Sequence, residues 1–294
     1  MSAMTRPQPS ARRSARGWRR GRSLPRRIVL IVGLALFAIW TIFPLIWIAE
    51  TSIKTNREIY SEATLIPRAI TFVHYAQLLQ GTPFLTYFKN SMLVATLTTV
   101  ISMVIGILGA YAITRLDFRG RIFIARTTIV TYLVPGSLLF IPLFQIAHQL
   151  NLTDKAWGLA IIYLVGSVPF CTWLAISYFS VIPIELAQAA FVDGANRLQA
   201  MVYVTLPLAL PALAVIALYA FTNAWNEFLF ALLLIGSDSQ KTIPAGLAGL
   251  INGDVFQWGA LMAGALISSL PPVLIYVVAQ KWVVSGLAGG AIKG

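Results

Sequence analysis

The chain has 294 residues, 58% of them hydrophobic and only 11% charged, with a mean hydropathy of +0.78. Soluble domains carry about 25% charged residues, so this composition excludes a water-facing surface over most of the chain, and a single cysteine excludes a disulfide framework or a multi-cysteine metal site. The net charge of +12 is concentrated, with nine arginines and no acid in residues 1–27, which describes a basic tail on a membrane protein and not a nucleic-acid-binding face.

Crossing a bilayer core of about 30 Å takes roughly 20 apolar residues of helix. Six such runs follow one another, at about Ile28–Ala49, Asn90–Ile113, Ile122–Ala147, Ala156–Phe179, Val202–Ile235 and Trp258–Val283. The first ends in Trp47-Ile48-Ala49-Glu50, without a small-residue cleavage site, and is read as a retained anchor and not a signal peptide. The tail before it, rich in Ser, Pro and Arg, is expected to be disordered. Pro135-Gly136, Pro142 and Pro169 predict kinked helices in the third and fourth runs, since a bundle can satisfy the backbone groups they free. Gly106, Gly109 and Ala110 predict a close helix contact in the second. The fifth run is longer than one crossing requires, so it is expected to tilt or project.

Lys and Arg mark the cytoplasmic side of a membrane protein. With the N-terminus inside, the inner segments carry 16 of them and the outer segments six. Both termini are therefore expected in the cytoplasm of a cell (inner) membrane protein that meets lipid along its spans. Residues 50–88 form the longest external loop, suited either to an external partner or to plain connection. His74 and His148 lie in separate segments without an H-E-x-x-H pattern, so no metal site is expected. Cys171 is expected to be a small buried residue.

The connection between the fourth and fifth runs is the informative one. Residues 182–199 read Ile-Pro-Ile-Glu-Leu-Ala-Gln-Ala-Ala-Phe-Val-Asp-Gly-Ala-Asn-Arg-Leu-Gln. Pro183 suits the start of a helix, and Glu185 suits its positive end. Gly194 can take a positive φ and stop that helix. Asn196 with Gln199 three residues later makes a capping box for the next one. Ala187, Ala189 and Ala190 would leave a small face for another surface to approach. Docking and simple rest on lipid headgroups both fit this pattern.

This segment resembles the EAA loop of ABC-transporter permeases. Gln188-Ala189-Ala190, Gly194 and Val204-Thr205-Leu206-Pro207 stand at the spacing of that motif, with Gln188 in place of its Glu and Val204 in place of its Ile. Asp193-Gly194-Ala195 also agrees. Trp225-Asn226-Glu227-Phe228-Leu229-Phe230-Ala231-Leu232, Lys241-Thr242-Ile243-Pro244-Ala245-Gly246-Leu247 and the ending Gly286–Gly294 resemble carbohydrate-importer permeases of the maltose-permease type.

The resemblance implies an all-α membrane protein with six transmembrane helices and the ABC type I importer permease fold. It divides the chain into the tail 1–27 and a permease domain 28–294 with a coupling loop at about 182–201. It implies a second permease subunit, an ABC ATPase dimer, an extracytoplasmic solute-binding protein and a carbohydrate substrate. Glu185, Gln188, Ala189, Ala190, Asp193, Gly194 and Ala195 would then couple to the ATPase. The chain itself has no phosphate-binding loop, so it is read as a non-enzymatic subunit with no catalytic residue and no cofactor of its own, ATP being used by the partner.

Asn223, Asn226 and Glu227 share a helix face at i, i+3 and i+4 with Trp225 beside them, which makes them candidates for the substrate pathway. The alternative is that this face packs on the second permease. A permease for a non-sugar solute such as glycerol phosphate, an ion-coupled secondary transporter and an intramembrane enzyme or scaffold are the competing functions.

Overall fold

A computed structural model describes residues 24–61, 64–252 and 255–291 of the chain. The Arg-rich stretch expected to be disordered lies almost wholly outside these residues. Contacts divide the chain into two compact units, Met1–Trp47 and Ile48–Gly294. The helix α1, Leu24–Ile53, crosses that boundary. In the first unit its large apolar side chains are exposed, Trp40 at 81%, as lipid-facing residues are.

The second unit is almost entirely helical. Two short helices, α2 (Asn56–Ser61) and α3 (Val73–Gly81), precede the long α4 (Phe84–Arg115). Then come α5 (Arg121–Leu133), α6 (Phe140–Gln149) and α7 (Ala156–Phe179). After α8 (Ile184–Val192) and α9 (Arg197–Ala200), a π-turn at Met201–Thr205 leads into α10 (Leu206–Asn226). The short α11 (Leu229–Leu234) and α12 (Ile243–Ala248), a two-residue antiparallel ladder pairing Ile251 with Phe256, and α13 (Trp258–Ala291) complete it.

Five of these segments, including Arg197–Asn226 taken as one, are individually long and apolar enough to span a membrane. The third expected run is a bent pair: Arg121–Leu133 and Gly136–Gln149 meet at 91°, and count as a sixth crossing when taken together. The cause lies at Pro135. The residue before a proline is pushed out of the helical region, and Val134 sits at φ −68°, ψ 120°. Pro169 bends nothing as sharply, for α7 runs through it.

The fifth run is also corrected. It is not one helix over Val202–Ile235 but a helix that stops at Asn226, with Glu227 extended at ψ 125° before α11.

The core lies where α4 meets α7. A Cβ on Gly106 would stand 3.0 Å from Cys171 Cβ and 3.1 Å from the Cys171 and Thr172 backbone, so the absent side chain sets how closely the helices approach. Cys171 is fully buried there. Near the N-terminal end of α4, Asn90 Nδ2 donates to the carbonyls of Ser239 and Lys241 at 3.0 and 2.9 Å. Buried Lys54 pairs with Glu50 at 2.7 Å, and the His74 ring, beside Gly259, bonds through Nε2 to the Lys54 carbonyl at 2.8 Å. With 1.5 Å per residue, α4 separates this end from its C-terminus by about 48 Å.

Candidate functional site

At the C-terminal end of α4 the chain makes an elbow from α8 and α9. Pro183, at φ −55°, ψ 132°, precedes α8 and aims the chain into it. The helix closes with a six-to-one bond, Ala195 N donating to Ala190 O at 2.9 Å, while Gly194 N donates to Phe191 O at 3.1 Å. Gly194 takes φ +89°, the left-handed value such a closure demands of the residue past the helix end. The capping box of α9 is complete: Gln199 N donates to Asn196 Oδ1 at 2.9 Å, and Asn196 N to Gln199 Oε1 at 2.8 Å.

Two side chains of α4 hold the elbow at both ends. Arg115 Nη2 donates to the carbonyls of Phe179 and Ile182, at 2.9 and 2.8 Å, where the chain leaves α7. Tyr111 donates its hydroxyl hydrogen to Arg197 O at 3.1 Å, where α9 begins. The elbow is thereby fixed to a membrane-length helix.

Glu185, Gln188, Ala189, Asp193 and Gly194 are exposed on the elbow, and Ala190 and Ala195 are half-buried. The expected small face is only partly outward, because Ala187 turns inward and is buried. The sequence reading missed the larger outward groups. Leu186, Phe191 and Val192 are exposed, Val192 at 88%, and form the apolar part of this surface. The sequence did carry part of this surface: Leu186, Ala189 and Val192 recur at every third residue and so share one face of α8.

A second feature sits at the break after α10. Glu227 leaves the helix, and its carboxylate caps α11: Oε1 accepts from Phe230 N at 3.0 Å, and Oε2 accepts from Ala231 N at 3.2 Å. Tyr163 of α7 donates its hydroxyl hydrogen to Oε2 at 2.7 Å. A carboxylate among amide donors at a helix start is a favourable arrangement in a low-permittivity setting. Glu227 and Asn223 both line a cavity of about 260 Å³ between α5, α7 and α10. Asn226 is exposed but is not part of its lining.

Trp225 is a correction. It is only 3% exposed, stacks on Phe221 and meets Phe88 edge-on, and donates its indole N–H to Ser268 O at 3.1 Å. It belongs to the packing of α10 against α13 and offers no platform to a ligand. The cavity's aromatic groups are instead Tyr132, Tyr163, Tyr219 and Phe230. The sequence signal for one of them was present: Tyr219, Asn223 and Glu227 recur at every fourth residue.

The profile of the family described as "Binding-protein-dependent transport system inner membrane component" matches residues 102–289. The chain is 39% identical over 271 residues to the inner membrane ABC transporter permease protein YcjP of Escherichia coli K12, covering 91% of this chain and 97% of that one. It is 35% identical to the trehalose/maltose transport system permease protein MalG of Thermococcus litoralis, over 92% of this chain and 98% of the relative. Its fold is similar to a chain in the crystal structure of a bacterial ABC transporter involved in import of the acidic polysaccharide alginate. There the TM-score is 0.77 and the identity 27%, with 89% of this chain and 98% of that chain covered.

Proposed function

The chain belongs to the family of binding-protein-dependent transport-system inner membrane components, the permeases of ABC transporters, and from that membership we propose that it is the membrane-spanning subunit through which a carbohydrate enters the cell. The sugar assignment is supported by the relatives named for trehalose/maltose and for trehalose transport. It works as one part of an assembly with a second permease subunit, an extracytoplasmic solute-binding protein and a dimer of ABC ATPases. ATP is hydrolysed by that dimer, and this chain contributes neither a catalytic residue nor a cofactor. Both termini and the elbow lie on the cytoplasmic side.

The observation that carries this reading is the elbow around Gly194. Passing force between two proteins takes a stiff arm, a fixed turn and a surface that fits the partner. The arm is α8, the turn is closed by the Ala195–Ala190 bond and the capping box, and the surface is that of Leu186, Ala189 and Val192. Arg115 and Tyr111 join the arm to α4. When ATP draws the two ATPases together, the docked elbow moves with them, and α4 and α7 follow as a packed pair. Glu185, Gln188, Ala190, Asp193 and Ala195 complete the docking element, with Gln188 supplying an uncharged amide to the partner.

Cysteine cross-linking tests it. The sole native cysteine, Cys171, is buried, so Val192→Cys and Ala189→Cys report on a quiet background. In the assembled transporter both should form disulfides with cysteines placed in the ATPase cleft. No adduct from either position, with sugar uptake intact, would remove the elbow from the coupling interface.

A further inference from the structure

One acid and no base line the cavity at the Glu227 break. Among the described residues its polar groups belong to Thr131, Tyr132, Tyr163, Tyr219, Asn223 and Glu227, and no Lys, Arg or His takes part. The Tyr132 and Tyr219 hydroxyls stand 3.3 Å apart, and the Tyr219 ring stacks on Phe170 with centroids 3.6 Å apart. Hydroxyls and an amide suit a solute rich in hydroxyl groups. The partners of the Glu227 carboxylate are all donors, the environment an anion requires. The two amide N–H groups offset part of its charge, and the remainder acts in a site flanked by apolar helices, where permittivity is low and charges interact strongly.

We infer that this cavity admits uncharged saccharides and polyols and turns away acidic ones, with Glu227 as the residue that sets the preference. The inference rests on the reading of the chain as a carbohydrate-importer permease. A uronate, sulfonate or phosphate group brought against Glu227 meets like charge with no cation in the lining to compensate. A neutral sugar loses nothing by the same approach, because its hydroxyls can donate to the carboxylate and accept from the tyrosines. The preference excludes glycerol phosphate from the solutes this chain handles, and separates it from an importer of acidic polysaccharide such as the one whose fold it resembles.

The charge of the cavity is read directly by labelling. With Cys171 buried, Asn223→Cys places one reactive thiol in the lining. In the purified assembled transporter the cationic methanethiosulfonate reagent should react about fivefold or more faster than the anionic reagent of similar size, the effect of one partly screened unit charge. Adding Glu227→Gln should bring the ratio close to one. A ratio near one with Glu227 in place, or one that Gln leaves unchanged, overturns the inference. Should the Gln variant fail to assemble, the salt dependence decides: an electrostatic ratio collapses between about 20 mM and about 1 M salt, and a constant ratio overturns the inference.

Uptake supplies the second arm. A neutral oligosaccharide and its uronate counterpart are compared in wild type and Glu227→Gln with the same binding protein, so that the receptor's own preference cancels from the change in ratio. Neutral-sugar uptake with a flat labelling ratio defeats charge selection and leaves the importer reading standing. Absence of uptake for every saccharide, with the labelling ratio intact, defeats the carbohydrate reading and leaves the charge of the cavity standing.

Discussion

Arg115, the last residue of α4, donates through Nη2 to the carbonyl of Ile182 at 2.8 Å, across 67 residues of sequence. The same nitrogen reaches Phe179 O at 2.9 Å. These carbonyls belong to the exit of α7, whose last C=O groups have no partner within the helix, so the guanidinium satisfies them and favours the negative end of the helix dipole. A hydrogen bond to a charged group contributes about 1.5–3 kcal/mol. Arg115→Ala should therefore loosen the root of the elbow while leaving its docking surface in place. The expected result in the reconstituted transporter is ATP hydrolysis largely retained and sugar uptake lowered by roughly tenfold or more, a difference of about 1.4 kcal/mol or greater. Arg115→Lys should recover only part of the uptake, since an ammonium is more strongly hydrated and lacks the rigid planar group that aims both Nη2 hydrogens at these carbonyls. Equal losses of hydrolysis and uptake would show that Arg115 supports assembly and not coupling.

Gly194 makes a cleaner case. Nothing lies within 4 Å of the position a Cβ would occupy, so substitution there brings no clash and the backbone alone decides the cost. At φ +89° a β-branched residue is strained by about 1–2 kcal/mol. Gly194→Val should reduce uptake severalfold at normal expression, with Gly194→Asn closer to wild type because Asn tolerates the left-handed region. Uptake assays on matched membrane preparations would separate the two; equal effects of Val and Asn would point to a side-chain contact in the partner and not to the turn.

The elbow and the spans were legible for the same reason: each is dictated by neighbours in sequence. An apolar run of membrane length, Gly194 past a helix end and Asn196 three residues before Gln199 need no tertiary information. The break after Asn226 was not legible, because Trp-Asn-Glu-Phe contains no proline or glycine. It is made by a carboxylate that caps α11 and takes a hydrogen bond from Tyr163, 64 residues away. Trp225 misled for the opposite reason. In sequence it stands among Asn223, Asn226 and Glu227, whereas its neighbours in space are Phe88, Phe221 and the backbone of α13.

Gly106 tests the packing that carries motion between helices. A Cβ there meets Cys171 Cβ at 3.0 Å and two backbone atoms of α7 at 3.1 Å, and the backbone atoms cannot give way cheaply. Gly106→Val should separate α4 from α7, and overpacking of this kind costs about 1–3 kcal/mol. Gly33→Val, where nothing lies within 4 Å, is the control. Thermal unfolding in detergent should show a lowered midpoint for the first and little change for the second; equal midpoints would mean that the close approach of α4 and α7 bears no load.

Asp154 ties two loops at the end of the bundle where Lys241 and Asn90 meet. It sits at φ +54° and accepts from Gly236 N at 3.1 Å, Ser237 N at 2.8 Å and the Ser237 hydroxyl at 2.5 Å. The Ser237 hydroxyl and amide hold its carboxyl below the usual value of 3.8. A carboxylate whose folded value is depressed stabilises the folded state fully above its unfolded value and loses that contribution as the pH falls through the lower, folded one. The bond between the loops is therefore complete at neutral pH and weakens only in strong acid. Asp154→Ala should increase protease cleavage or hydrogen exchange at residues 236–238 at pH 7, by a few-fold at so exposed a site. The difference from wild type should shrink as the pH falls through the depressed folded-state value of this carboxyl, since protonation then removes from the wild type what the mutation removed. A gap between the two proteins that stays constant through this range would assign the effect of Asp154 to its backbone conformation and not to its charge.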